Sequence, residues 1–401
     1  MLADAYVSVG GRHAGRNRRA SPGQLEYCEL AVSCVVAGLR MKLSRNLFLG
    51  LCSMLVLGYL YYSGRISSRG RGFRSVYDQQ GFLLRLNASL PLELVYKYGN
   101  LSEGTCKPGY TAAKMTAIYP RFHKPAPMFL DPGYKKFYKV GDYPPPFGVR
   151  SQDGVIDLLL AATKNYGLGN ELDSLSCKTC IIVGNGGILT NRSLGQKIDA
   201  FDVVVRLNEA PIRGFEKDVG TKTTMRITYP EGAIQKPELY EAQSLFVLSA
   251  FKSLDFKWLR YMVFNQRLHS TEGFWKSVAR YVPRDPSDMR ILNPYFIQEA
   301  SFMLIGLPHN NGQLGRGNIP TLGAVAITMA LHNCDEVAVA GFGYNMSMPH
   351  APLHYYEKIR MSAMRESWTH NISKEKEFLV KLVKAGVIQD LTKGICGAGC
   401  R

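Results

Sequence analysis

The 401-residue chain predicts an α/β protein: a mostly parallel sheet flanked by helices, with one long apolar segment ahead of it. Three observations carry this reading. Beyond Cys180, short apolar runs alternate with helix-period stretches for about 200 residues, the pattern of strands buried on both faces and joined by crossover helices. Two of these runs, 181–183 and 337–340, follow a cysteine (Cys180, Cys334) and end in glycines, Gly184-Asn185-Gly186-Gly187 and Gly341-Phe342-Gly343. With 46% hydrophobic and 20% charged residues, the chain can also bury one large core and still carry something extra.

Residues 1–46 read as an N-terminal tail. The first forty are rich in Gly, Ala and Arg, and the apolar stretch 30–39 is too short to span a bilayer. Met41-Lys42-Leu43-Ser44-Arg45 has the form of an anchor's own basic leader, so translation can begin at Met41. Residues 47–63 (LFLGLCSMLVLGYLYYS) carry no charge, follow Lys42 and Arg45, and end in the cluster Tyr59, Tyr61 and Tyr62. Seventeen helical residues span roughly 26 Å, close to the ~27 Å of a thin secretory-pathway bilayer, and tyrosines suit its interface. A cleaved signal peptide needs small residues after its apolar core, and bulky tyrosines stand there instead. The segment therefore predicts a single-pass signal anchor, leaving residues 64–105 as a stem and 106–395 as the folded body, with a short tail at 396–401.

Within the body, residues 106–150 are dense in Pro and aromatics and predict an irregular wrapping segment. Helical spacing follows over 155–166. Strands are expected at 181–183, 202–207, 225–228, 245–251, 290–292 and 336–340. Helices are expected near 191–199, 256–266, 273–281, 321–333 and 371–385. Ligands of such sheets sit beyond the carboxyl ends of the strands, where both glycine-rich turns fall.

The net charge of +17 is partly peripheral, because residues 1–105 hold 13 Lys and Arg against 6 Asp and Glu. The rest suits an anionic substrate or surface. Nucleic acid is not the expected partner: the chain has no long basic helix, zinc-finger spacing or aromatic ribonucleoprotein stretch. Five Asn-x-Ser sequons, at Asn87, Asn100, Asn191, Asn345 and Asn371, all lie after the apolar segment. Together with the anchor and the cysteines they favour a body in the secretory lumen.

Four pieces carry the chemistry. The first runs from Cys180 through Gly184-Asn185-Gly186-Gly187 and Asp202-Val-Val-Val-Arg-Leu-Asn208 to Arg226. The second is Gly317-Asn-Ile-Pro-Thr321-Leu-Gly323, continuing to Cys334 and Gly341-Phe342-Gly343. The third is His354-Tyr-Tyr-Glu357, and the fourth His370-Asn-Ile-Ser-Lys-Glu375. Singly each has a plain explanation: a tight turn, a satisfied histidine, or a carboxylate in the first turn of a helix. The pair Gly184 and Gly187 also fits a dinucleotide fingerprint, although the third glycine and the acidic residue are not in place.

In combination and order, the four pieces closely resemble the large, small, third and very small motifs of the sialyltransferases of glycosyltransferase family 29, over roughly residues 75–395. The stretches from Ala210 to Gly220 and from Asn293 to Gln298 resemble the β-galactoside α2,3 subgroup acting on N-acetyllactosamine-type Galβ1-3/4GlcNAc ends. The residues before Met41 and the tail Cys396-Gly-Ala-Gly-Cys400-Arg401 have no counterpart in that pattern. Cys396 and Cys400 are left to pair with each other or stay free.

The resemblance implies a GT-A-like variant with a Rossmann-like sheet, anchored in the Golgi membrane with a luminal catalytic domain. It implies transfer of N-acetylneuraminic acid from CMP-sialic acid to the 3-hydroxyl of a terminal galactose on a glycoprotein or glycolipid, with inversion. His370 is the candidate base, since imidazole accepts a proton near luminal pH. His354 is the candidate donor to the leaving phosphate. Thr321, Gly323, Gly341, Phe342 and Gly343 would cradle CMP with backbone amides and a hydroxyl, and Asn185 and Asn208 would contact the nucleotide and phosphate. Glu375 would hold its motif in place.

A monophosphate leaving group gathers less charge than a nucleoside diphosphate, and the chain contains no Asp-x-Asp, so no metal or other cofactor is expected. The resemblance also implies a Cys180–Cys334 disulfide, and by elimination Cys106 pairs with Cys177. Asn87 and Asn100 on the stem are expected to carry glycans, whereas Asn345 and Asn371 are expected to stay bare because sugars there would obstruct the site. The competing readings are a sialyltransferase of another linkage, a membrane-anchored sialoglycan-binding protein without turnover, and a nicotinamide oxidoreductase.

Overall fold

A computed structural model describes residues 49–50, 52–58 and 105–397, apart from 123–125, 137–139, 269, 311–314, 316, 346 and 364–368. The chain divides into two units, residues 1–74 and 75–401. In the first, the described part of the expected anchor is helical. Among the described residues no helix is long and apolar enough to cross a membrane. The expected glycan sites Asn87 and Asn100 lie outside the described residues.

The second unit is built on seven parallel strands: β1 (Thr179–Val183), β2 (Val203–Leu207), β3 (Met225–Thr228), β4 (Leu245–Leu248), β5 (Met289–Ile291), β6 (Glu336–Ala340) and β7 (Ile388–Asp390), in the spatial order β5-β4-β3-β2-β1-β6-β7. Alternation along the strands feeds two cores. Cys180, Ile182, Val203, Val205, Val337 and Val339 point into the larger one. Ile181, Val183, Val204, Ala338 and Ala340 point into the smaller one. A parallel sheet covered on both faces needs this continuous β-branched and small apolar sequence.

The larger core is roofed by α1 (Tyr110–Ile118), α2 (Asp153–Thr163), α3 (Ser253–Val263), α4 (Leu322–Asn333) and α5 (Ile372–Lys384). Helix α4 is apolar on every side and buried along almost its whole length, as a helix without a polar face must be. Its sequence places it centrally, against β1 and β6.

The departures from the sequence reading have local causes. The helix expected from 191 starts only at Gly195, because Asn191 and Ser193 take positive φ (60° and 50°) and their amides donate to the Asp218 carboxylate at 2.8 and 2.7 Å. The stretch 273–281 is not helical. Gly273 turns at φ +85°, and the carbonyls of Ser277 and Ala279 accept from Gln235 and from the buried Trp258 indole instead of from their own turn. The wrapping segment 106–150 does contain regular structure, α1, whose mixed sequence YTAAKMTAI hides its buried face. Strand β7 and the π-helical turn Glu299–Ile305 were not anticipated; three residues ending in Gln-Asp offer no apolar run.

Disulfides join Cys106 to Cys177 and Cys180 to Cys334, and Cys396 is also disulfide-bonded. The Cys180–Cys334 bridge closes a 154-residue separation, worth about 4–5 kcal/mol against the unfolded chain in the loop-entropy picture. A Cys180→Ser/Cys334→Ser variant should accordingly melt about 10 °C below the native protein. Scanning calorimetry of the two proteins checks this, and equal melting temperatures would show that the sheet is held by packing alone.

Candidate active site

From β1 the chain adds strands outward to β5, then returns to place β6 on the other side of β1. The order therefore reverses between β1 and β6, and a crevice opens there at the carboxyl ends of the strands. Both glycine-rich turns emerge at this point, and they touch. Gly186 N–H donates to Gly341 O at 3.0 Å, and a Cβ on Gly184 or Gly186 would stand 2.8 or 2.6 Å from that same oxygen. Gly341 and Gly343 take φ +78° and +90°, values that disfavour any side chain.

These glycines are therefore explained first by backbone approaching backbone. The Gly341 amide, expected to face a phosphate, is bonded to Thr392 Oγ1 at 3.2 Å. Gly323 likewise makes room for the Phe342 ring, which a Cβ would meet at 2.8 Å.

Every site residue expected from the sequence lines one cavity of about 740 Å³ beside this crevice: Asn185, Asn208, Thr321, Gly323, Gly341, Phe342, Gly343, His354, His370 and Glu375. The first turn of α4 opens into it, bringing the positive end of a twelve-residue helix to where an anion would sit. Thr321 caps that helix by accepting from Ala324 N–H at 3.3 Å. Its amide and hydroxyl donate to the two oxygens of Glu375 at 2.8 and 2.6 Å. The Thr321 hydroxyl thus donates to Glu375 and accepts from Ala324 N–H within the protein. Burial pushes the Glu375 carboxyl up to about 7, so near neutrality it is a poised anchor for the cap.

His370 precedes α5, and its Nδ1 lies 2.9 Å from Ile319 O. A carbonyl only accepts, so Nδ1 carries the proton and the neutral ring keeps its basic lone pair on Nε2. Burial lowers the pKa below the usual 6.5, against the smaller opposing effect of the Ile319 bond. His354 is held by Glu357, whose carboxylate meets Nδ1, and its ring stacks on Tyr356 at 5.4 Å. The segment docks on the β1 turn through Tyr355 N–H to Asn185 O at 3.1 Å and Gly187 N–H to Leu353 O at 3.0 Å.

Asn185 Oδ1 is buried without a partner, and a buried acceptor in that state is incomplete without a ligand or water. Asn208 takes a left-handed φ of 54°. Its carbonyl accepts from Arg226 Nη1 at 2.7 Å, and Arg226 in turn pairs with Glu241. Among the described residues no group of three or more His, Cys, Asp and Glu side chains is placed to hold a metal ion. Asn345 lies on a separate, smaller cavity, away from the histidines. Asn371 caps α5 by accepting from Lys374 N–H at 3.0 Å.

Sequence reasoning missed the far wall, formed by Tyr229, Glu231, Lys252, Trp275 and Lys276. Glu231 sits three residues beyond the carboxyl end of β3, the only clue to it. Trp275 was hidden by the mistaken helix.

Replacing Glu375 by Ala removes the acceptor for both Thr321 donors. That change should cost about 2 kcal/mol of stability and lower turnover by displacing the start of α4, while Glu375→Gln retains most of both. Paired urea unfolding and activity measurements check this. Equal losses in the two variants would mean that the charge, and not the two hydrogen bonds, matters.

Comparison with known proteins places the fold and the sequence in one family. Residues 130–387 match the family described as glycosyltransferase family 29 (sialyltransferase). The chain is 62% identical over 368 residues to the Homo sapiens CMP-N-acetylneuraminate-beta-1,4-galactoside alpha-2,3-sialyltransferase, covering 88% of this chain and 98% of that one. It is 42% identical over 298 residues to the Rattus norvegicus lactosylceramide alpha-2,3-sialyltransferase, covering 72% and 76%. The crystal structure of a mammalian sialyltransferase in complex with Gal-beta-1-3GalNAc-ortho-nitrophenol shares the fold, with a TM-score of 0.53 at 24% identity over 73% of this chain and 98% of that one. The chain belongs to glycosyltransferase family 29, the sialyltransferases.

Proposed function

We propose that this sialyltransferase moves N-acetylneuraminic acid from CMP-sialic acid to the 3-hydroxyl of a terminal β-galactose, with inversion and without a metal ion. The observation that carries the reading is the convergence of His370, His354 and the unpartnered Asn185 oxygen on one cavity at the start of α4. The names of the relatives at 62% and 42% identity supply the α2,3 linkage and the galactoside acceptor.

In the reaction, Nε2 of His370 takes the proton from galactose O3 as O3 attacks C2 of the sialyl group. The bond from C2 to the phosphate oxygen breaks on the opposite side, and its electron pair leaves with CMP. His354, its Nδ1–H held by the Glu357 carboxylate, donates to the phosphate from Nε2 in the doubly protonated form of the ring, and the amino end of α4 stabilises the growing charge. A monophosphate leaving group asks less of its surroundings than a diphosphate, and the absence of Asp-x-Asp from the sequence fits a site that uses histidine and helix dipole. The apolar segment 47–63 and the sequons beyond it support residence in the Golgi membrane as a single-pass type II protein with a luminal body.

Incubating the full chain in detergent with CMP-sialic acid and Galβ1-4GlcNAc in excess EDTA should give an α2,3-linked product. The His370→Ala protein should give at least 10²-fold less, in the range expected for loss of a general base. CMP release with another linkage would keep the donor site and change the acceptor assignment; loss of turnover on chelation would end the metal-free reading.

The pH profile offers a separate check. The lowered pKa of His370 leaves it unprotonated, and so competent as a base, to below pH 6.5. The acidic limb of kcat/KM should therefore fall below about 6.5 and vanish from the residual activity of His370→Ala. An acidic limb above 7 would point to a different base.

A further inference from the structure

The carboxylates beside the histidines and the start of α4 are already spent, Glu357 on His354 and Glu375 on Thr321. At the far wall, Lys252 Nζ meets Glu231 Oε1 at 2.5 Å and Asp255 Oδ1 at 3.3 Å. Both carboxylates are completely buried, while the lysine is about one-third exposed. Glu231 Oε2 has no hydrogen-bond partner. Beside them Lys276 pairs with Glu209 at 3.3 Å. Three carboxylates thus face two ammonium groups, so this end does not attract a nucleotide sugar that carries both a phosphate and a carboxylate. The exposed indole of Trp275 (69% accessible) stands over the same wall, with Lys276 Nζ 5.5 Å from its ring centre and its backbone N–H donating to Glu231 Oε1 at 3.4 Å.

Resting on the transferase reading above, we infer that this end is the seat of the neutral acceptor sugar, with Trp275 as its stacking platform and Lys252, fixed by Glu231 and Asp255, as its hydrogen-bond donor. The chemistry matches a galactose. Its axial 4-hydroxyl clears one face of the ring to C–H groups, which pack on an aromatic surface, while its hydroxyls accept from an ammonium. An ammonium already neutralised by two buried carboxylates can donate to a hydroxyl without recruiting the anionic donor. Glu231 and Asp255 act through Lys252 and are positioning residues. Asp255 also receives the amides of Phe251 and Lys252 at 2.7 and 3.1 Å, which ties the lysine's backbone to the first turn of α3.

The test uses the full chain in detergent, with three readouts: the KM for Galβ1-4GlcNAc, the KM for CMP-sialic acid, and CMP release without acceptor. Trp275→Ala, at an exposed position, should raise the acceptor KM about tenfold and leave the two donor readouts within about twofold of native. Trp275→Phe should recover most of the loss. Glu231→Gln should raise the acceptor KM in the same selective way, and the acceptor-free CMP release shows that the variant is folded. An unchanged acceptor KM in Trp275→Ala, or an equal rise in both KM values, overturns the inference and leaves the transferase assignment standing. A native chain that releases no CMP and makes no product overturns both.

Discussion

Strands β1 and β6 are held as a pair at both ends. At their amino ends the Cys180–Cys334 disulfide joins the second residue of β1 to the residue capping α4. At their carboxyl ends the two glycine turns lie so close that Gly184 and Gly186 admit no Cβ and Gly186 donates to Gly341 O. This backbone-to-backbone contact fixes the crevice at the point where the strand order reverses. Displacing it would move Asn185, Phe342 and the docked segment carrying His354 together, since Tyr355 and Gly187 bond across the same turn. The glycines serve catalysis by allowing two loops to share a space where one would ordinarily fit.

Several polar groups around the cavity have their hydrogen bonds committed to holding it in shape. Glu375 spends both oxygens on Thr321 and so sets the first turn of α4. Arg226 spends its guanidinium on Glu241 and on the carbonyls of Asn208 and Ala210, a planar fork matched to several acceptors at once. Buried groups with every hydrogen bond committed make poor participants in proton transfer and good supports. His370 and His354 differ in kind. Each has Nδ1 held by an oxygen acceptor, which fixes the orientation of the ring. Desolvation lowers the His370 pKa and so favours its neutral form.

The fold and most of the near wall were legible in the sequence for one reason: β-branched runs, glycines at strand ends and histidines in short motifs are local signals. Six of the seven strands follow from them. The exception, β7, has only three residues and one apolar position. The helix expected at 273–281 failed because the carbonyls that would build it accept from Gln235 and Trp258, distant partners that no local periodicity records. Thr321, read from its motif as a cavity residue, is also a helix cap whose donors go to Glu375, 54 residues further on.

By itself, then, the sequence determined the parallel α/β class, the family's four motifs and the identities of the two histidines, because each depends on residue type and spacing along the chain. Tertiary structure decided which amides and hydroxyls remain available to a ligand, and where the cavity's opposite wall comes from. Those depend on which groups from β3, α3 and the 273–281 loop meet across space. The burial of Glu231 and Asp255 against a single lysine is set by the packing of segments more than twenty residues apart, and desolvation of that kind has no signature in local sequence.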